Sequence, residues 1–413
     1  MSSKARTQSI LPAQPRRRLA GAKESVVYPA AVMTAMGMGT LSLGIVFYAR
    51  DVLHASPSQI GLLAATWSLS YILGCLLLRP LADRLLPRHS ILLAVVTMSF
   101  AVAALLGVDR LAAVFLCYAL YGFGTSFFWP PLMGWLSTGI EGPDLNRAMG
   151  RFNLCWSIGG IVGPVLAGYL APHDPRLPVV AAGLLYLMAA TYILGALFCF
   201  DQLGRDDDAH RRAVERRGSV TSVSEGTPLR FPAWGGVFAA YVVLGLIINV
   251  FPLAAEDQLG LSKPSVGLLL FGRALATTIA LLTFGRTTAW HNRGGQLVIG
   301  LLAFAFVVFL LPTAGSVLLI GLLLLLVGVL SAQSYANSLF HGISGSRNRA
   351  ARMAIHESLL SAGLICGGAC GGILYQHSGY ATACRAAAAI LVLIAIVALG
   401  FLFRKKHRVH CDP

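Results

Sequence analysis

FYARDVLHASPSQIGLLAATW (residues 47–67) is matched without gaps, 206 residues further on, by LAAEDQLGLSKPSVGLLLFGR (residues 253–273). Ala49, Asp51, Leu53, Ser56, Gly61, Leu62 and Leu63 recur as Ala255, Asp257, Leu259, Ser262, Gly267, Leu268 and Leu269. Two apolar helices readily align by chance on leucine and alanine, but not on an aspartate and a serine in the polar turn between them. The shift is half of the 413 residues. A second echo, shifted by 204, pairs Met149, Gly159, Gly163 and Gly168 with Met353, Gly363, Gly367 and Gly372. The chain is read as two copies of one unit, running in the same direction.

The unit is a membrane one. Hydrophobic residues make up 56 % of the chain and charged residues only 12 %, too few to cover a water-exposed surface. A helix of about 20 apolar residues crosses a ~30 Å hydrocarbon layer. Twelve such stretches lie near 26–48, 58–78, 90–107, 111–137, 152–171, 178–200, 233–254, 265–284, 296–312, 316–341, 354–374 and 381–403. The fold class expected is an all-α membrane protein with twelve transmembrane helices in two parallel six-helix repeats.

The net charge of +15 is distributed by side. With twelve crossings, 26 of the 32 Lys and Arg fall on the side of both termini, five on the other (Arg50, Arg110, Arg176, Lys263, Arg385), and Arg273 lies inside a span. Cytoplasmic loops carry such an excess, so both termini are expected in the cytoplasm and the protein in the cell membrane. A basic surface spread along a membrane face also argues against nucleic acid as a partner. The basic N-terminus has no apolar core before Val26, so no cleavable signal is read there; residues 1–25 are expected as a disordered cytoplasmic tail. Residues 201–232, charged and without apolar periodicity, are read as a linker between halves 26–200 and 233–403, with 404–413 as a second tail. Seven of the eight cysteines lie in or beside apolar runs without CxxC spacing and read as packing residues. No metal or cofactor is expected.

On this repeat and these motifs the chain resembles the major facilitator superfamily, whose two six-helix halves enclose a substrate cavity near the midplane. Leu81-Ala82-Asp83-Arg84 and Arg88 match the family's loop between the second and third spans, although Arg79 and Leu86 stand where it has glycines. The resemblance implies that Asp83, with Arg84 and Arg88, latches the cytoplasmic side against the start of the eleventh helix. At the 206 shift Arg79 falls on Gly285 and Asp83 on Ala289, so an asymmetric latch is expected. In GRFNLCWSIGGIVGPVLAG, Gly150, Gly159, Gly163-Pro164 and Ala167-Gly168 look like the family's antiporter motif with one glycine replaced by alanine, implying proton-driven export. Gly159 and Gly163 present a stripe without side chains and Pro164 permits a bend; plain close packing and a part in conformational exchange both fit.

Ionisable groups inside a bilayer are costly and therefore informative. The first span has only Thr34, Thr40 and Ser42 beside Tyr48, and the fourth has Tyr118 before Gly122-Phe123-Gly124 where the family's proton-coupled members often carry an arginine. Arg273 is the exception: it either meets an anionic substrate group in a wet cavity or bonds to helix carbonyls. Glu357, beside His356, is either a protonatable coupling group or an acid favoured at a helix start. Its counterpart at the 204 shift is Asn153. Trp129, Asn249, Gln333, Tyr335 and Asn337 offer stacking and hydrogen bonds to a mid-sized solute, and each fits interhelical bonding equally well.

Nucleotide-binding, zinc-protease and serine-hydrolase motifs are missing from the sequence, so neither an enzyme nor an ATP-driven pump is expected. The reading is a monomeric secondary transporter of a small organic solute, an exporter by alternating access, with protons and the lipid bilayer as further partners. The alternatives are an uncoupled facilitator and a receptor or scaffold of the same fold that does not transport.

Overall fold

The computed structural model describes residues 13–78, 81, 84–137, 142–199, 229–343 and 349–411, and every regular element among them is helical. Arg79, Asp83, residues 1–12 and most of the expected linker lie outside the described residues. Eleven helical stretches are long and apolar enough to cross a membrane. The last, Ile355–Leu402, is really two legs: Gly379 leaves the helix at φ 81°, ψ 170°, a conformation side chains with a Cβ rarely adopt. Twelve crossings result, and the helices run apolar on all sides. Phe198, Leu318 and Leu116 are among many large side chains pointing outward, which suits lipid tails and not water.

Prolines set the breaks. The fourth span is Leu111–Ser126 followed by Trp129–Ser137, parted just before Pro130 and Pro131. The seventh is Arg230–Asn249 and then Phe251–Asp257, parted at Pro252, and the ninth ends in a 3-10 turn, Leu311–Thr313, at Pro312. Each ring removes a backbone donor and crowds the preceding turn.

The first helix begins at Ala13, so residues 13–25, expected as disordered tail, are a helical extension of the first span. Tertiary contacts hold that extension. Arg151 Nη1 bonds to Glu24 at 3.0 Å, the Tyr192 hydroxyl donates to the Ser25 carbonyl at 2.6 Å, and Lys23 is buried. The helix of the twelfth span likewise runs on to Cys411, through most of the expected second tail.

The repeat read from the sequence has a structural reason at its alanine, aspartate, serine and glycine positions. The Ala49 carbonyl accepts from the Ala55 N–H at 2.9 Å, and the Ala255 carbonyl accepts from the Leu261 N–H at 2.9 Å, closing the same turn twice. Ser56 and Ser262 are the N-caps of the second and eighth helices, Pro57–Leu77 and Lys263–Arg286, each accepting a backbone N–H three residues on. We name the membrane side of these two turns the far face and the opposite side the basic face.

Four of the echoed glycines, Gly61, Gly168, Gly267 and Gly372, mark where the two groups of six spans cross. A Cβ on Gly372 of the eleventh span would lie 2.5 Å from the Pro57 carbonyl oxygen and 3.3 Å from Gly61 Cα of the second. Its counterpart in the repeat is the crossing of the fifth span, Gly142–Leu170, with the eighth. There a Cβ on Gly267 would lie 2.5 Å from the Pro164 carbonyl oxygen and 3.2 Å from Gly168 Cα. Both crossings lie in the far-face half of the helices.

Candidate functional site: a chamber between the halves and its far-face closure

Glu357 is solvent-accessible, yet it lies within electrostatic reach of Tyr71 and Cys75 on the second span, Tyr241 on the seventh and Tyr335 on the tenth. A carboxylate among residues from both halves faces space enclosed by the bundle rather than lipid. Arg273, ten residues into its helix and so ~15 Å below the far face, lies within electrostatic reach of Tyr241. Its Nε is buried and has no hydrogen-bond partner among the described residues. Thr277 Oγ1 takes up the Arg273 and Gly328 carbonyls at 3.0 and 3.1 Å, which locks the eighth span to the tenth through backbone and leaves the guanidinium uncommitted.

An aromatic series leads away from this centre on the N-terminal side. Tyr71 stacks on Trp67 at 5.9 Å and 11°, Trp67 on Tyr121 at 6.4 Å, and Tyr121 on Tyr118 at 5.5 Å. The Tyr121 and Tyr186 hydroxyls bond to one another at 2.8 Å. Of this group only Tyr118 was singled out from the sequence. Tyr71, Tyr241 and Trp67 were missed because a lone aromatic in an apolar span carries no signal of which way it faces; the i, i+4 spacing of Trp67 and Tyr71 was the one usable hint.

The remaining candidates are dispersed. Tyr335 packs edge-on against His356 at 5.0 Å, and His356 is buried with Nδ1 bonded to Ser338 Oγ at 2.8 Å. Gln333 Nε2 donates to the Gln296 carbonyl at 3.3 Å and Asn337 Nδ2 to the Gln333 carbonyl at 3.0 Å, so both join the tenth span to the ninth or to itself, away from Glu357. Asn249 Nδ2 donates to the Gly245 carbonyl at 2.8 Å, just before the proline break. Trp129 is wedged edge-on between Phe128 and Phe152, its Nε1 donating to the Met38 sulfur at 3.3 Å. Asn153 is exposed on the fifth span, Arg84 is exposed, and Arg88 is half-buried at the start of the third helix, Pro87–Leu106.

Gly159 and Gly163 seat the fifth span on the first. A Cβ on Gly163 would lie 2.5 Å from Gly39 Cα, and Gly159 meets the Ala35 backbone. Gly363 and Gly367 do the same for the eleventh span on the seventh, against the Phe238 and Val242 carbonyls. The contact between the two groups of helices belongs instead to Pro164, Gly168 and their counterparts.

At the far face a charge cluster ties the groups together. Arg50, ending the first helix, pairs with Asp257 and with Glu256 at 3.2 Å, while Lys263 pairs with Asp51. The Tyr375 hydroxyl donates to Asp257 at 3.0 Å, and the Ser58 N–H to Gln376 Oε1 at 3.2 Å. The repeated aspartates thus bond across, each to a cation of the other half.

With this geometry in view, comparison with known proteins is informative. A family profile described as Major Facilitator Superfamily matches residues 27–232 and again 233–412. Multidrug resistance protein 1 of Bacillus subtilis (strain 168) is 23% identical over 295 residues, 69% of this chain and 73% of that protein. Multidrug resistance protein 2 of the same organism is 23% identical over 240 residues, 57% of this chain and 59% of that one. Among solved structures, the nucleoside transporter NupG superposes with a TM-score of 0.69 at 13% identity, covering 92% of this chain and 99% of the other. The human organic anion transporter MFSD10 (TETRAN) superposes with a TM-score of 0.60 at 15% identity over the same shares. These two likenesses speak to the fold alone.

Proposed function

Since the chain belongs to the major facilitator superfamily and is a multi-pass membrane transporter, not an enzyme, we propose that it is a secondary active exporter of a small organic solute, working by alternating access. The observation that carries this reading is the chamber: one accessible carboxylate and one uncommitted guanidinium, walled by tyrosines of both halves and shut off at the far face by ion pairs and glycine crossings. Halves 26–200 and 233–403 rock about the chamber as units, with 201–232 as linker. Both termini face the cytoplasm of a cell whose plasma membrane holds the protein as a monomer. Asp83, Arg84 and Arg88 form the counterpart latch on the basic face. Similarity to two multidrug resistance proteins supports the outward direction.

Glu357 is the coupling group in this reading: a proton and the substrate compete for one carboxylate, so each turn exchanges one for the other. Purified protein in proteoliposomes, loaded with a panel of organic solutes and given or denied a pH gradient, tests it. Gradient-stimulated flux of at least one solute is expected. Glu357→Gln should lose that stimulation and the pH dependence of transport; the same pH profile in the variant would exclude coupling through this residue. Flux indifferent to the gradient would leave an uncoupled facilitator, and no flux at all would favour a receptor or scaffold.

A further inference from the structure

The chamber holds two opposite charges that do not neutralise one another. Glu357 lies ~30 Å below the far-face end of its helix and Arg273 ~15 Å below, so about 15 Å of helix rise separates them. Tyr241 is within electrostatic reach of both, and no ion pair joins them. A bundle that only had to tolerate a buried guanidinium would bring a carboxylate to it, because an unpaired charge away from water is costly. Here Glu357, the one acid among the described residues in electrostatic reach of the same tyrosine, is held apart, and Tyr71 of the second span, stacked on Trp67, is within reach of that acid as well. Flat, polar-tipped side chains between two fixed opposite charges suit a flat solute with a charge at each end.

The geometry points to an amphoteric, elongated aromatic substrate: a cationic amine at Glu357, an anionic group at Arg273, and a ring system of about two rings lying along Tyr71 and Tyr241. This rests on the chamber being the substrate site, and it narrows the solute from any small organic molecule to one charge pattern and length.

Equilibrium binding to the full-length protein in detergent tests it without relying on flux. Four probes suffice: 4'-(aminomethyl)biphenyl-4-carboxylate, its amine-only and acid-only biphenyl parents, and the one-ring 4-(aminomethyl)benzoate. The two-ring amphoteric probe is expected to bind about tenfold or more tighter than each of the other three, since each end adds a charge-assisted contact out of bulk water. Glu357→Gln should weaken the amphoteric and amine probes and spare the acid; Arg273→Gln should weaken the amphoteric and acid probes and spare the amine. Equal affinity of a single-charge or one-ring probe overturns the proposal, as does an equal loss for all probes in both variants. If a variant does not fold, the ranking of the four probes on the unaltered protein decides by itself. Binding in the expected order without flux of any solute would overturn the transport reading and leave this one standing; flux with the wrong order would do the reverse.

Discussion

Gly267→Leu is expected to reduce transport by ~10- to 100-fold while leaving the protein inserted in the membrane, with Gly61→Leu at the matching crossing giving a loss of similar size. At Gly267 the first added carbon would already lie 2.5 Å from the Pro164 carbonyl oxygen, and at Gly61 it would run into the Gly368 carbonyl. Neither obstacle is a side-chain tip that can turn aside; both are helix backbone. Overpacking of this kind costs about 1–3 kcal/mol. Because the crossings join the two groups of helices, that cost falls on the far-face-closed form and not on the fold of either group. The closed form is then depleted by a corresponding factor, and a cycle that must pass through it slows accordingly. Faster hydrogen exchange at residues 51–57 and 257–263 should accompany the loss. Gly163→Leu gives the contrast: its neighbours, Gly39 and Thr40, belong to the same group of helices, so insertion and yield should fall along with transport. Normal flux from a well-expressed Gly267→Leu protein would exclude the closed crossing as an obligatory state.

Arg273→Gln carries the other large expectation: transport down by at least ~100-fold, with thermal stability of the ligand-free protein unchanged or raised. The pairing of those two outcomes is the point. A guanidinium that served packing would be bonded to carbonyls or a carboxylate, and removing it would destabilise the protein by a few kcal/mol. The buried Arg273 Nε has no partner among the described residues, while Thr277 takes up the nearby carbonyls. Deleting a charge held without compensation relieves a desolvation cost, so the variant should melt no lower than its parent. Melting curves and proteoliposome flux on the same preparation check both halves of the expectation. A variant that melts markedly lower and transports normally would make Arg273 a structural residue.

Much of the fold was legible before any coordinates. Apolar length decided the spans, since backbone polar groups inside a bilayer must be satisfied within a helix. The breaks at Ser126–Trp129, Asn249–Phe251 and Leu311–Thr313 all fall at prolines in the structure, because the missing donor acts locally. Residues 13–25 were misread for the opposite reason: a basic, polar stretch has no local mandate to be helical, and what holds it is the contact of Glu24 and Ser25 with Arg151 and Tyr192.

The candidate site divides in the same way. Arg273 and Glu357 stood out because a charge in a span is expensive wherever it points. Gln333, Asn337 and Asn249 stood out on the same ground but are bonded to neighbouring carbonyls, a fate that depends on which helix lies alongside. Tyr71 and Tyr241 could not stand out at all, since an aromatic suits lipid, core and chamber equally.

The repeat shows where the boundary falls. That Asp51 and Asp257, Ser56 and Ser262, Gly61 and Gly267 are equivalent was determined by the sequence alone, because a turn and its cap are built from residues a few positions apart. Which partners they take was decided only by tertiary structure. Asp51 bonds to Lys263 and Asp257 to Arg50, while Gly61 meets Gly372 and Gly267 meets Gly168, each from the opposite half. Contacts between segments 99 to 311 residues apart follow from how two packed bundles meet in space, and no local pattern of residues encodes that.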